Sequence, residues 1–232
     1  MEGKGVVVIE FDAVDYGYGE APLLRDVSLT LAPGSFYFLT GPSGSGKTTM
    51  INLCYGALLP TRGRISLFGQ NVANIDREAM TMLRRKVAVV HQNVQFIDHL
   101  NLRENIGLPL SVTDRLTAAA EVDLTELLGW VGLTHRANAF PQELSGGERQ
   151  RAALARAIIV APDFVLADEP TGNVDWEMSQ RLLTLLVEFN RLGRTILIAT
   201  HDLALIRAAK AQVPARVLRI SNGQVQLAGA EL

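Results

Sequence analysis

The run Gly41-Pro42-Ser43-Gly44-Ser45-Gly46-Lys47-Thr48-Thr49 constrains this chain more than any other, because of what stands on either side of it. Phe36 to Thr40 before it is a short β-rich run, and a helix is expected from Gly46 to about Leu58. Strand, glycine-rich loop and helix in that order form a phosphate-binding loop. Glycines 41, 44 and 46 let backbone N–H groups close around phosphate oxygens, and the helix N-terminus adds a favourable dipole. Lys47 supplies charge at the β- and γ-phosphates, and Thr48 offers its hydroxyl to Mg²⁺. Pro42, Ser43, Ser45 and Thr49 complete the candidate binding set. The loop alone leaves kinases, GTPases and helicases open.

The rest of the chain supplies an α/β frame. Val6 to Phe11, Val27 to Leu31 and Phe36 to Thr40 read as early strands, with Pro33-Gly34 as a turn. Later strands at Arg64 to Leu67, Val87 to Val90, Phe164 to Ala167 and Thr195 to Ala199 alternate with helical patterns. That alternation implies a parallel sheet with crossover helices, and the opening runs an antiparallel piece beside it. Between Asp98 and Gln142 strand signals vanish, and Val122, Leu124, Leu127, Leu128 and Val131 recur at helical spacing. A helical insertion is expected there. Phe164-Val165-Leu166-Ala167 leads into Asp168-Glu169, placing two carboxylates where α/β folds put their ligands. Asp168 is the candidate Mg²⁺ residue, acting through water, and Glu169 the candidate group that polarises the attacking water.

The 232 residues are 48% hydrophobic, enough for a sizeable core, and the formal net charge of −2 weighs against broad binding to nucleic acid. The lone Cys54 cannot form an internal disulfide, so burial and a reducing compartment are expected. No run approaches the roughly eighteen apolar residues of a membrane span, so any membrane association is expected to be indirect, through a partner. The clusters Arg84-Arg85-Lys86 and Arg149, Arg151, Arg156 read as solvated or locally paired charges. Trp176 is open between core packing and a contact across an interface.

Leu144-Ser145-Gly146-Gly147-Glu148-Arg149-Gln150 resembles the signature motif of ABC-type ATPases, with Glu148 where many members carry Gln. Gln92 resembles the Q-loop glutamine, with His91 in place of the usual aromatic. Asn173-Val174-Asp175 resembles the D-loop, with Val174 where the related group usually has Leu, and His201 resembles the switch histidine. Tyr18 stands where the family stacks an aromatic on adenine, with Tyr16 as the neighbouring alternative. The resemblance covers nearly the whole chain with its motifs in family order.

The resemblance implies an ABC ATPase fold over 1–232: a mainly parallel RecA-like core with an antiparallel β-subdomain from 1–97 and 161–232, and an inserted helical subdomain at about 98–160. It implies ATP and Mg²⁺ as cofactors and hydrolysis to ADP and phosphate. Lys47, Gln92, Glu169 and His201 form its catalytic set, and Thr48, Gln92 and Asp168 its metal set. It also implies an ATP-dependent homodimer in which Ser145, Gly146, Gly147 and Glu148 of one copy meet the nucleotide held by the other. Asp168-Glu169-Pro170-Thr171-Gly172-Asn173-Val174-Asp175 is similar to the group that includes cell-division FtsE, lipoprotein-release LolD and MacB-type efflux ATPases. Three further stretches, 38–44, 138–145 and 188–202, lean towards the cell-division type. That type implies an FtsX-like membrane partner, a place on the cytoplasmic face of the bacterial inner membrane, and regulation of cell-wall hydrolases. Val94, Phe96, Ile97, Leu100 and Leu102 are weighed equally as grips on that partner and as core.

Overall fold

The structure, a computed structural model, describes residues 7–19 and 21–228. Two sheets organise them. The first, in the order β2 (Leu24–Leu31), β1 (Ile9–Tyr16), β4 (Arg62–Leu67), β5 (Gln70–Asn71), is antiparallel throughout. The second has six strands in the order β10 (Gln224–Leu227), β9 (Arg216–Ser221), β3 (Phe36–Thr40), β8 (Thr195–Ala199), β7 (Phe164–Asp168), β6 (Val87–Val90). All its pairings are parallel except that of the edge strand β10.

Strands β3, β7 and β8 are buried at every position, which is why they read as unbroken apolar runs rather than alternating ones. Each nevertheless alternates between two cores. Phe36 and Phe38 of β3 face a core shared with α5 (Gly146–Ile158), α6 (Trp176–Arg191) and α7 (Leu203–Lys210), whereas Tyr37 and Leu39 face the antiparallel sheet and α1 (Lys47–Cys54). The larger of these cores also takes in Leu102 and Ile106 of α3 (Leu102–Val112) and Leu124, Leu127 and Leu128 of α4 (Ala118–Trp130).

Several expectations needed correction. The first strand begins at Ile9 and runs to Tyr16, because register shifts after Phe11 and after Val14, with Ala13 at φ 50°, let it bend and continue; Val6 lies outside the described residues. Helix α1 stops at Cys54 rather than Leu58, as Gly56 at φ 70° turns the chain and Leu58 N–H folds back to the Asn52 carbonyl. Strands β9 and β10 and the helix α2 (Arg77–Arg84) were not foreseen. Within α4, Val122 is exposed while Leu124, Leu127 and Leu128 face inward, and Val131 beyond its end is buried.

Cys54 is fully buried, and burial pushes its thiol pKa up. The basic clusters pair locally: Arg84 donates to the carbonyls of Tyr55 and Gly56, Lys86 lies over Phe68, and Arg149 and Arg156 lie over Phe96. Trp176 opens α6 partly exposed, behind an Asp175 side chain that caps the helix.

Candidate active site

Strand β3 sits inside the six-stranded sheet, so the loop that follows it opens at the sheet's C-terminal edge, where parallel α/β sheets carry ligands. Gly46 precedes α1 at φ 104°, a left-handed conformation, and a Cβ there would lie 3.3 Å from the Leu23 and Leu24 side chains. Lys47 reaches back over the loop, its Nζ donating to the carbonyls of Gly41 at 2.9 Å and Pro42 at 3.1 Å. Ser45 turns inward, with a buried Oγ that has no hydrogen-bond partner among the described residues. Thr48 Oγ1 donates to Asp168 Oδ2 at 2.6 Å, joining the loop to the end of β7. Burial raises the pKa of Asp168 and the Thr48 hydrogen bond opposes that shift.

Glu169 follows at φ 49°, a left-handed conformation that a residue with a Cβ adopts only when its surroundings hold it. Its N–H donates to the Ala199 carbonyl at 2.8 Å, and its own carbonyl accepts from Gln150 Nε2. The carboxylate is mostly buried: Oε2 accepts from Thr200 Oγ1 at 3.0 Å, and Oε1 lies 2.7 Å from Nδ1 of the exposed His201. Adjacent parallel strands β7 and β8 therefore deliver a carboxylate and an imidazole to one point.

These groups line one cleft of about 700 Å³. Gly41, Pro42, Ser43, Gly44, Gly46, Lys47, Thr48 and Thr49 form its floor, and Gln92, Asp168, Glu169 and His201 one wall. Tyr18 and Leu23 also line it; Leu23 was missed by sequence reasoning, which had no motif pointing to it. Tyr16 is buried in the core under the antiparallel sheet, while Tyr18 is exposed, edge-on to the Tyr16 ring at 5.2 Å, with its hydroxyl 3.2 Å from Thr49 Oγ1. The cleft thus takes one of the two tyrosines. The oxygens of Thr48, Asp168 and Gln92 are hard donors of the kind Mg²⁺ accepts, so the residues present fit that ion.

The signature residues lie outside this cleft. Ser145 caps α5, accepting from Glu148 N–H at 3.2 Å, while Glu148 returns a carboxylate oxygen to Ser145 N–H at 2.8 Å. The other Glu148 oxygen accepts from Arg136 Nε at 2.8 Å; that hydrogen bond, together with Ser145 N–H, lowers the Glu148 pKa to about 2. The Glu148 carboxylate is thus turned towards its own chain. Gly147 packs on the loop after Glu169, where a Cβ would stand 2.8 Å from the Asn173 carbonyl. Gln92 faces both the cleft and a smaller hollow lined by Gly146, Arg149, Gln150 and Asn173.

The candidate partner grips divide. Leu102 is fully buried and Val94 and Phe96 pack against the core, while Ile97 and Leu100 are half-buried. A groove of about 600 Å³ opens instead between β6, the end of α3 and α5, where Val87, Ala88, Val89, Leu108 and Val112 give an apolar floor beside Arg84, Arg85, Arg115 and Arg156.

Residues 24–172 match the family described as ABC transporter. The chain is 38% identical over 200 residues to the cell division ATP-binding protein FtsE of Bacillus subtilis, covering 86% of each. It is 36% identical over 219 residues to the protein of the same name in Escherichia coli K12, covering 94% of this chain and 97% of that one. Among solved structures it resembles an ATP-binding cassette, described as dimeric and in a post-hydrolysis state bound to ADP and Pi. The TM-score is 0.84 at 32% identity, covering 94% of this chain and 96% of that one.

Proposed function

The chain belongs to the ABC transporter family and hydrolyses ATP, and from that premise we propose that it powers a bacterial cell-division complex as a homodimer assembled around ATP. The observation that carries the mechanism is the convergence of Lys47, Thr48, Gln92, Asp168, Glu169 and His201 on one cleft. The glycine-rich loop and the α1 N-terminus hold the phosphates, Lys47 turns its charge to the β- and γ-groups, and Tyr18 stacks on the base. Mg²⁺, held by Thr48, Asp168 and Gln92, supplies charge neutralisation at the phosphates. Glu169 accepts a hydrogen bond from the water that attacks the γ-phosphorus, and ADP leaves as the bond to the bridging oxygen breaks. His201, against Glu169, senses and positions the γ-phosphate.

The position of Ser145, Gly146 and Gly147 outside their own chain's cleft supports their use in trans, on the nucleotide of a second copy. ATP then acts as glue between copies, and loss of the γ-phosphate contacts releases the closed state. Glu148 contributes by shaping the Ser145 turn. The stretch from about 98 to 160 serves as the helical insertion, and 1–97 with 161–232 as the ATP-binding core.

No helix among the described residues is long and apolar enough to cross a membrane, so force passes through an integral partner of the FtsX type. A cytoplasmic helix of that partner docks in the groove beside Val87 and Val112. The dimer works at the cytoplasmic face of the inner membrane, where its cycle relays a shape change that regulates cell-wall hydrolysis. The test is affinity capture of Glu169→Gln protein with ATP from mildly solubilised membranes. An FtsX-like permease recovered with division proteins supports the reading. Recovery of a lipoprotein-release or efflux permease overturns the division role while leaving the ATPase mechanism intact.

A further inference from the structure

Gln150, the last residue of the run Leu144 to Gln150, is almost wholly buried in α5, two residues beyond Glu148, and does not line the cleft. Both ends of its amide are used, and both on the turn that carries Glu169. Nε2 donates to the Glu169 carbonyl, and Oε1 accepts from Asn173 N–H at 3.1 Å. Gly172 N–H also reaches the Glu169 carbonyl, at 3.2 Å, closing the turn on itself. Glu169 sits at φ 49°, a conformation its own side chain disfavours, so the direction of its carboxylate depends on what holds the two flanking peptides. On the amino side the hold is the Ala199 carbonyl of β8; on the carbonyl side the side-chain hold comes from α5. Gly147, one turn earlier on α5, rests against Asn173 with no room for a Cβ.

We propose that Gln150 is a positioning residue for Glu169: its amide fastens the start of the signature helix to the turn that aims the Glu169 carboxylate. This rests on the reading that Glu169 polarises the attacking water. Any shift of the Ser145-Gly146-Gly147 turn on engaging a nucleotide is then carried through one side chain to the carboxylate of the same chain. A buried glutamine kept only to satisfy backbone groups stabilises the fold without setting the turnover of folded protein. The two roles therefore separate by experiment.

The experiment is steady-state and single-turnover ATPase measurement of Gln150→Leu, which removes both hydrogen bonds at similar volume. Gln150→Glu is measured beside it, since it retains the acceptor for Asn173 N–H but loses the donor to the Glu169 carbonyl. Thermal unfolding and fluorescent-nucleotide binding establish the folded fraction. We expect kcat per folded enzyme to fall between about tenfold and a hundredfold in both variants, with KM and nucleotide affinity within about twofold. Added to Glu169→Gln, the Gln150→Leu change should cost nothing further in single turnover, since both act through one carboxylate. Wild-type kcat in both folded variants overturns the inference, as does a full additional loss in the Glu169→Gln background. A Glu169→Gln enzyme that itself turns over normally removes the reading of Glu169, whatever Gln150 does. If Gln150→Leu does not fold, Gln150→Glu decides alone.

Discussion

His201 Nδ1 lies 2.7 Å from Glu169 Oε1, and that contact joins the end of β8 to the residue after β7. Two groups so placed work as a unit, and removing either should cost most of what removing both costs. His201→Ala is expected to lower kcat on the order of a hundredfold while leaving KM for ATP nearly unchanged. Combined with Glu169→Gln it should add little. Phosphate release measured across the four proteins checks this, and multiplying losses would mean that the two act separately.

Asp168 exchanges stability for function. Its folded pKa is raised, chiefly by burial, so its ionised form is penalised in the native state. For a raised carboxyl the sign is the reverse of the usual acidic case. The penalty is present at neutral pH and disappears as pH falls below the unfolded value. Asp168→Asn, which can still accept from Thr48, is therefore expected to raise the Tm of the nucleotide-free protein at pH 7 while cutting ATP turnover by about a hundredfold or more. The gain in Tm should shrink in acid. A variant less stable than wild type at pH 7 would contradict the argument.

Tyr18 touches the cleft only through an exposed ring and a hydroxyl near Thr49. Base stacking on such a ring contributes to ground state and transition state alike. Tyr18→Ala should therefore raise KM for ATP about fivefold to tenfold with kcat within about twofold. Tyr16→Ala removes a buried ring instead and should appear as lost Tm. Kinetics and unfolding of both variants distinguish the roles, and a loss confined to kcat in Tyr18→Ala would remove the stacking assignment.

How much of this was legible beforehand depended on how local the signal was. The loop from Gly41 to Thr49, the carboxylates after β7 and the histidine after β8 each announce themselves within a few residues, and they meet because β3, β8 and β7 are adjacent parallel strands. The hairpin of β9 and β10 was missed although Asn222-Gly223, at φ 53° and 79°, is the turn that favours tight hairpins. Attention to that pair would have found it. Leu23 carried no such local mark, and Gln150 stands in the signature run with nothing nearby in sequence to show its partners. Leu23 lies by the loop because β2 starts there, and Gln150 matters through carbonyl and amide groups 19 and 23 positions away. Leu102 stood open between partner grip and core because apolar residues cluster before α3, and the structure places it in the core, next to the Asn101 cap.

Glu148 gives the clearest pH signature. Its carboxylate joins Ser145 N–H to Arg136, and those hydrogen bonds depress its folded pKa from the ordinary 4.5 to about 2. Between those values the unfolded chain binds the proton that the folded chain refuses, so stability rises with pH across that window. The contribution is complete above the unfolded pKa and lost as pH falls through the folded one. Glu148→Gln can still accept from Ser145 N–H but cannot neutralise Arg136. It should lower stability at pH 7, and only modestly because Arg136 stays partly exposed to water. Denaturant unfolding of both proteins at pH 7, 4 and 3 is the measurement. The gap between them should be widest at pH 7 and narrower at pH 3, because wild type loses in acid what the variant never had. A gap that stays constant with pH would show that the Arg136 pair is not what holds the Ser145 turn.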